Sequence, residues 1–209
     1  MNNKINGIIS VLEQIYPNVQ CGLHWQEDPY RLLIMAILSA QCTDARVNIV
    51  SKSLFKQFPT PADMANAPLS DIENAIRSVG LYRSKARALK ECCQRLTTVY
   101  GGVIPNQMKE LLTLRGVGRK VANLLLGDIY GLGGIVADTH CIRICGRLGF
   151  TEGKDPLKTE KVMSKLIPLE KQSDFCHRIV MFGREVCTAR SPKCKECPIK
   201  IYCDYGTDL

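Results

Sequence analysis

The sequence predicts an all-α fold, and three observations carry that expectation. Apolar residues recur every three or four positions over most of the chain. No stretch alternates apolar and polar residues as a half-buried strand would. Capping side chains stand directly before prolines where apolar stripes begin. The first stripe, Ile5, Ile8, Ile9, Leu12 and Ile15, predicts an N-terminal helix. Asp28-Pro29 opens a second, with Leu32, Leu33, Met35, Ala36 and Leu38 on it, and Val47, Val50, Leu54 and Phe58 mark a third. Thr60-Pro61 starts another, Ala86, Leu89, Cys92, Leu96 and Val99 a long one, and Asp155-Pro156 a late one. In each start signal the Asp or Thr side chain can accept from first-turn N–H groups, and the proline loses no donor that the first turn needs. About a dozen helices joined by short loops result.

At 209 residues and 45% hydrophobic, the chain can bury a substantial core, as one domain or as two small ones, and is not of the disordered class. The opening residues lack the basic, apolar and small-residue sequence of a secretion signal, and no apolar run is long enough to span a bilayer. Of 11 cysteines, seven (21, 42, 92, 93, 141, 145 and 176) lie mostly within helical patterns; their odd number points to free thiols in a reducing cytosol. Lysine and arginine total 28 against 20 acidic residues, a net charge of +8. That excess is compatible with a polyanionic partner without singling one out.

The other four cysteines, Cys187, Cys194, Cys197 and Cys203, fall in a C-x6-C-x2-C-x5-C run. A Cys-x2-Cys core lets two thiolates face one centre, and the flanking loops can fold the outer two onto it. Four thiolates hold either zinc or an iron-sulfur cluster. The unequal, compact spacing departs from the paired knuckles of a zinc ribbon.

A second signal lies in Leu111 to Ala122, where Gly116-Val117-Gly118 is followed by Arg119 and Lys120. Two glycines around one apolar residue allow a tight turn whose amides can approach a phosphate, and the next helix presents its positive end there. A weak internal repeat relates Ile76–Ala86 to Leu112–Ala122: each reads as a helix end, a glycine turn and a basic helix start. The glycines at 131, 133 and 134 suggest a hinge between two lobes.

Five stretches together resemble the endonuclease III family of helix-hairpin-helix, iron-sulfur DNA glycosylases. They are Leu38–Asp44, Val79–Ala86, Gly116–Asn123, Val136–His140 and the terminal cysteine run. The resemblance covers nearly the whole chain, with the motifs in the family's order. It implies a six-helix domain over 22–132, an iron-sulfur cluster domain built from 1–21 plus 133–209, and a DNA-binding cleft between them. It further implies a monomer of the bacterial cytosol and nucleoid, with no membrane association, acting on double-stranded DNA that contains oxidised pyrimidines or abasic sites. The activity implied is that of a bifunctional DNA glycosylase and AP lyase.

Lys120 matches the family's nucleophile. Attack at the sugar's anomeric carbon needs an unprotonated amine, and the helix start together with Arg119 supplies the positive potential that favours it. Asp138 reads from its position as the N-cap of a helix running through Ile142 to Leu148. The resemblance adds a role in stabilising the cationic sugar and moving a proton. His140 reads as ordering the aspartate's surroundings. Gln41 matches the position that fills the space left by a displaced nucleotide and Leu81 the position that wedges the stack. Asp44 reads as lining the base pocket or capping its helix. Gly116, Gly118 and Arg119 read as a backbone clamp on DNA. Arg190 and Lys193, inside the first cysteine loop, read as phosphate contacts. Cys187, Cys194, Cys197 and Cys203 become ligands of a 4Fe-4S cluster.

Two positions depart from the usual Leu-Pro-Gly-Val-Gly-Arg-Lys-Thr-Ala hairpin: Arg115 stands for the proline and Val121 for the threonine. One rival is the related adenine glycosylase type, which carries serine at position 120, a glutamate near Ala36 and an extra recognition domain. Another is a DNA-binding redox sensor, which needs neither Lys120 nor Asp138.

Overall fold

The computed structural model describes residues 2–205. Among them every regular element is helical, as the periodicity predicts. In chain order the α-helices are α1 (Asn2–Ile15), α2 (Pro29–Leu38), α3 (Asp44–Gln57), α4 (Pro61–Asn66), α5 (Leu69–Ala75), α6 (Tyr82–Tyr100), α7 (Met108–Leu111), α8 (Arg119–Tyr130), α9 (Thr139–Arg147), α10 (Pro156–Leu166) and α11 (Gln172–Glu185). Short 3-10 turns follow at Leu169–Lys171, Cys194–Glu196 and Lys200–Tyr202. No helix among the described residues is long and apolar enough to cross a membrane.

The helices gather into two compact units, Gly22–Tyr130 and the combination of Met1–Cys21 with Gly131–Leu209. The first holds α2 to α8, seven helical segments where the resemblance implies six; the additional one is the single turn α7. Its centre is α2. Asp28 caps it through hydrogen bonds from the Tyr30 and Arg31 N–H groups, Pro29 begins it, and every residue from Leu32 to Leu38 is buried. A helix apolar on all sides is one enclosed by its neighbours. Here α3, α6 and α8 pack against it, and α4 and α5 pack against α6. Burial of one leucine contributes roughly 1.5–3 kcal/mol, so this row is the largest apolar contribution of any helix in the unit. Thr60 and Asp63 form a capping box on α4, each side chain bonding the other's backbone N–H.

The second unit joins the two ends of the sequence around one core. Ile5, Ile8, Ile9 and Leu12 of α1 pack with Ile144 and Cys145 of α9, Met163 of α10 and Phe175, Ile179 and Phe182 of α11. Cys187, Cys197 and Cys203 lie against the same core. Gly7 of α1 has no room for a side chain, because a Cβ there would overlap the Tyr202 ring. Gly133 is also confined: a Cβ would meet Leu169 at 2.8 Å, and Gly134 N–H donates to Gln172 Oε1 at 2.9 Å.

Candidate active site

The hairpin of the 22–130 unit is built on Gly116. Its φ of +84° lies in the left-handed region, and a Cβ there would come within 3.1 Å of Ile37 Cγ2 and 3.4 Å of Ala88 Cβ. The turn is therefore seated on α2 and α6, and only glycine meets both demands without strain. Val117 is buried beneath it and donates its N–H to Leu114 O at 3.1 Å. Gly118 is not confined in this way: its φ is not positive and a Cβ would meet nothing. Its bareness leaves the backbone open at the start of α8, where the Gly118 carbonyl accepts the Ala122 N–H at 2.9 Å. Arg119 and Lys120 are the first two residues of α8, and both side chains are exposed. A helix start displaying bare amides and two cations suits an anion.

The approach to this turn is braced from α6. Arg95 Nε donates to Thr113 Oγ1 at 2.8 Å, and Tyr100 Oη lies 3.0 Å from the same oxygen. Arg115 turns outward and pairs with Glu91 of α6 at 3.8 Å, both side chains well exposed, a contact worth under about 1 kcal/mol.

The earlier turn copies the later one only in part. The repeat places Gly80 opposite Gly116, yet Gly80 does not take a positive φ; the next residue does, Leu81 at +59°. Leu81 is 62% exposed, whereas its counterpart Val117 is 6% exposed. The shared element order is real, and the glycine turn is not shared: the left-handed residue sits one position later in the first hairpin, which throws the leucine outward. Gln41 is likewise exposed and left-handed, at φ +52°. Thr43, not Asp44, caps α3, accepting the Arg46 N–H at 3.3 Å; Asp44 occupies the first turn.

In the other unit, Asp138 caps α9 as its position predicts, Oδ1 accepting the Cys141 N–H at 2.7 Å. The helix it starts runs from Thr139 to Arg147, with Leu148 as C-cap. His140 Nδ1 lies 3.2 Å from Arg143 Nη2. Arg143 also donates to Gly183 O at 3.1 Å and, from Nε and Nη2, to Cys187 O at 3.2 and 2.9 Å. Gly183 is confined by this arrangement, since a Cβ would fall on the His140 ring.

One turn further along α9, Arg147 donates to Cys187 Sγ at 3.1 Å, Thr188 O at 2.8 Å and Ala189 O at 3.0 Å, while its guanidinium lies 4.7 Å from the Tyr205 ring centre. These two arginines, four residues apart on one helix face, hold the first cysteine loop. The sequence singles out neither, since both stand 40 or more residues before Cys187.

All four terminal cysteines line one cavity, together with Ile144, Leu148, Phe182 and Ile199. None of the four is in a disulfide and none is fully buried. Burial pushes the Cys197 thiol up, a hydrogen bond with the Ile199 backbone opposes this, and Cys187, Cys203 and Cys194 push it up further. A thiol that feels its three partners inside an apolar pocket belongs to a convergent four-sulfur set, which fits a four-thiolate centre. Arg190 and Lys193, in the loop from Cys187 to Cys194, are exposed.

A helical hairpin with a basic helix start, and a four-sulfur loop at the end of the chain, define a class: a base-excision DNA repair protein with an iron-sulfur loop. Residues 34–169 match the model of the HhH-GPD superfamily of base excision DNA repair proteins, and residues 187–203 match the iron-sulfur binding domain of endonuclease III. Endonuclease III of Synechocystis sp. is 41% identical over 94% of this chain and 90% of its own. That of Bacillus subtilis is 38% identical over 97% and 93%. A solved non-covalent endonuclease III–DNA complex superposes with a TM-score of 0.93 at 41% identity, covering 100% of this chain and 97% of that one. A trapped endonuclease III–DNA covalent intermediate gives the same score and identity, with 98% of that chain covered. The chain belongs to the endonuclease III family. It is a base-excision-repair enzyme, a DNA glycosylase and AP lyase, and its cofactor is a 4Fe-4S cluster.

Proposed function

We propose that the enzyme removes oxidised pyrimidines from duplex DNA and cuts the strand 3′ to the resulting abasic site by β-elimination through a Schiff base on Lys120. The observation that carries this reading is a lysine exposed in the first turn of the helix that follows the Gly116 hairpin, in a chain that aligns over its full length with a relative trapped covalently on DNA. The Lys120 amine attacks C1′, and the base departs with the glycosidic electron pair. Asp138, anchored through Oδ1 at the cap of α9, stabilises the cationic sugar and accepts the amine proton. Ring opening gives the imine; loss of a C2′ proton then expels the 3′ phosphate, and water releases the lysine. A serine at 120 would not support this course, which separates the chain from the adenine glycosylase type.

Gln41 and Leu81 enter the strand where the damaged nucleotide leaves, and Gly116, Gly118 and Arg119 hold its phosphates. Cys187, Cys194, Cys197 and Cys203 ligate the cluster, which fixes their loop so that Arg190 and Lys193 reach the backbone. The protein works as a monomer on DNA in the cytosol. Borohydride reduction in the presence of an oxidised-pyrimidine or abasic duplex should yield a covalent adduct with the wild type and none with Lys120→Ala. Duplex binding without any adduct from the wild type would instead favour the redox-sensor reading.

A further inference from the structure

Lys85 is a buried cation that the proposed chemistry leaves unexplained. It lies in the first turn of α6 and is 6% exposed. Its ammonium donates to Leu38 O at 2.8 Å and Ala40 O at 2.6 Å, on the chain directly before Gln41. Its own backbone N–H donates to Leu81 O at 3.0 Å. Its side chain therefore ties the turn of Gln41 to the start of α6, whose first helical hydrogen bond begins at Leu81; the two turn tips, Gln41 and Leu81, are exposed and left-handed. The turns are also neighbours: a Cβ on Gly80 would lie 3.8 Å from Gln41 O.

We propose that Lys85 is a positioning residue that fixes Gln41 and Leu81 relative to each other, so that both enter a DNA strand as one rigid wedge; the inference rests on the strand-entering roles assigned above. Each left-handed non-glycine residue costs roughly 1–2 kcal/mol, so neither turn holds its shape unaided. Burying an ammonium for stability alone is a poor exchange against an apolar side chain, because desolvation consumes much of what the carbonyls return. What the buried charge supplies is direction, two short bonds that fix the backbone flanking Gln41. A lysine serving only as a cap for α2 would need to reach Leu38 O, not Ala40 O beyond the cap.

The test compares duplex with single-stranded DNA carrying the same abasic site, since only the duplex has to be wedged open. Lys85→Met should lower the ratio of duplex to single-strand cleavage by about tenfold or more. It should also abolish the fluorescence rise of a 2-aminopurine placed beside the site, a readout of strand entry that involves no bond cleavage. Combined with Leu81→Ala, it should add nothing to the loss from Leu81→Ala alone. An equal drop on both substrates, an undiminished fluorescence rise, or effects that multiply would each overturn the proposal. Should Lys85→Met fail to fold, Lys85→Gln, which keeps a donor but is too short to hold both Leu38 O and Ala40 O, must show the same selective loss. A wild type that gives the fluorescence rise but no borohydride adduct would refute the lyase chemistry and leave the Lys85 outcome readable.

Discussion

The hairpins α5–α6 and α7–α8 of the 22–130 unit share a sequence plan and set their cations in opposite ways. In the first, the glycine is conformationally ordinary, an exposed leucine takes the left-handed turn, and the lysine that follows is drawn inward to two carbonyls. In the second, the glycine itself takes the left-handed turn, the next apolar residue is buried, and the lysine points to solvent. Aligned by the repeat, Lys120 stands opposite Ser84, and Lys85 stands opposite Val121. On a helix one residue is about 100° of rotation, enough to move an amine from solvent to a buried contact. On the reading proposed above, the same motif supplies a chemical group in one copy and a mechanical one in the other.

The largest effect that could break this contrast is at the paired positions 120 and 84. Lys120→Ala should lower strand cleavage by about a thousandfold or more, measured under single-turnover conditions, whereas Ser84→Ala should stay within about twofold. Comparable losses at both would mean that the two hairpins share one role.

A smaller effect separates the glycines. Gly116→Ala forces a side chain into a φ of +84° and against Ile37, and should cost about 1–2 kcal/mol in urea unfolding. Gly80→Ala meets neither constraint and should change stability by less than about 0.5 kcal/mol.

The smallest effect is a pH dependence. Burial holds the Lys85 ammonium below the ordinary lysine range, with Cys42 opposing in part. The folded state then binds this proton less tightly than the unfolded chain does. Unfolding free energy of the wild type relative to Lys85→Met should therefore rise with pH between the lowered value and the ordinary one of about 10.4, and fall as pH drops through that window. A difference that is flat with pH would place Lys85 in a wetter setting than its contacts indicate.

The helix starts were legible because their signals are local. Asp28-Pro29, Thr60-Pro61 and Asp155-Pro156 each act on N–H groups two or three residues away, and all three cap as read. Asp138 was legible for the same reason. The hairpin glycine was legible at Gly116 and misleading at Gly80, since a Gly-Leu pair does not declare which residue turns left-handed. Lys85 was not legible, because its partners lie 45 and 47 residues earlier in the chain. Arg143 and Arg147 reach the cysteine loop across 40 to 44 residues, and nothing in their neighbours announces that.

The packing of α1 has a bearing on how the chain is made. Ile5, Ile8, Ile9 and Leu12 find their core in α9, α10 and α11; Arg178 Nε bonds Tyr16 O across 162 residues, and Lys4 pairs with Asp204 across 200. On the ribosome, the first helix therefore emerges before its partners exist. Its apolar face must wait through the synthesis of the 22–130 segment and of the cysteine loop that closes over Gly7. Contacts of such high order are slow to form, and the waiting surface is the part of the molecule most exposed to chaperones and to aggregation. Tyr202, against which Gly7 packs, lies between Cys197 and Cys203, so the contacts of the first helix are complete only once the cysteine loop has been made.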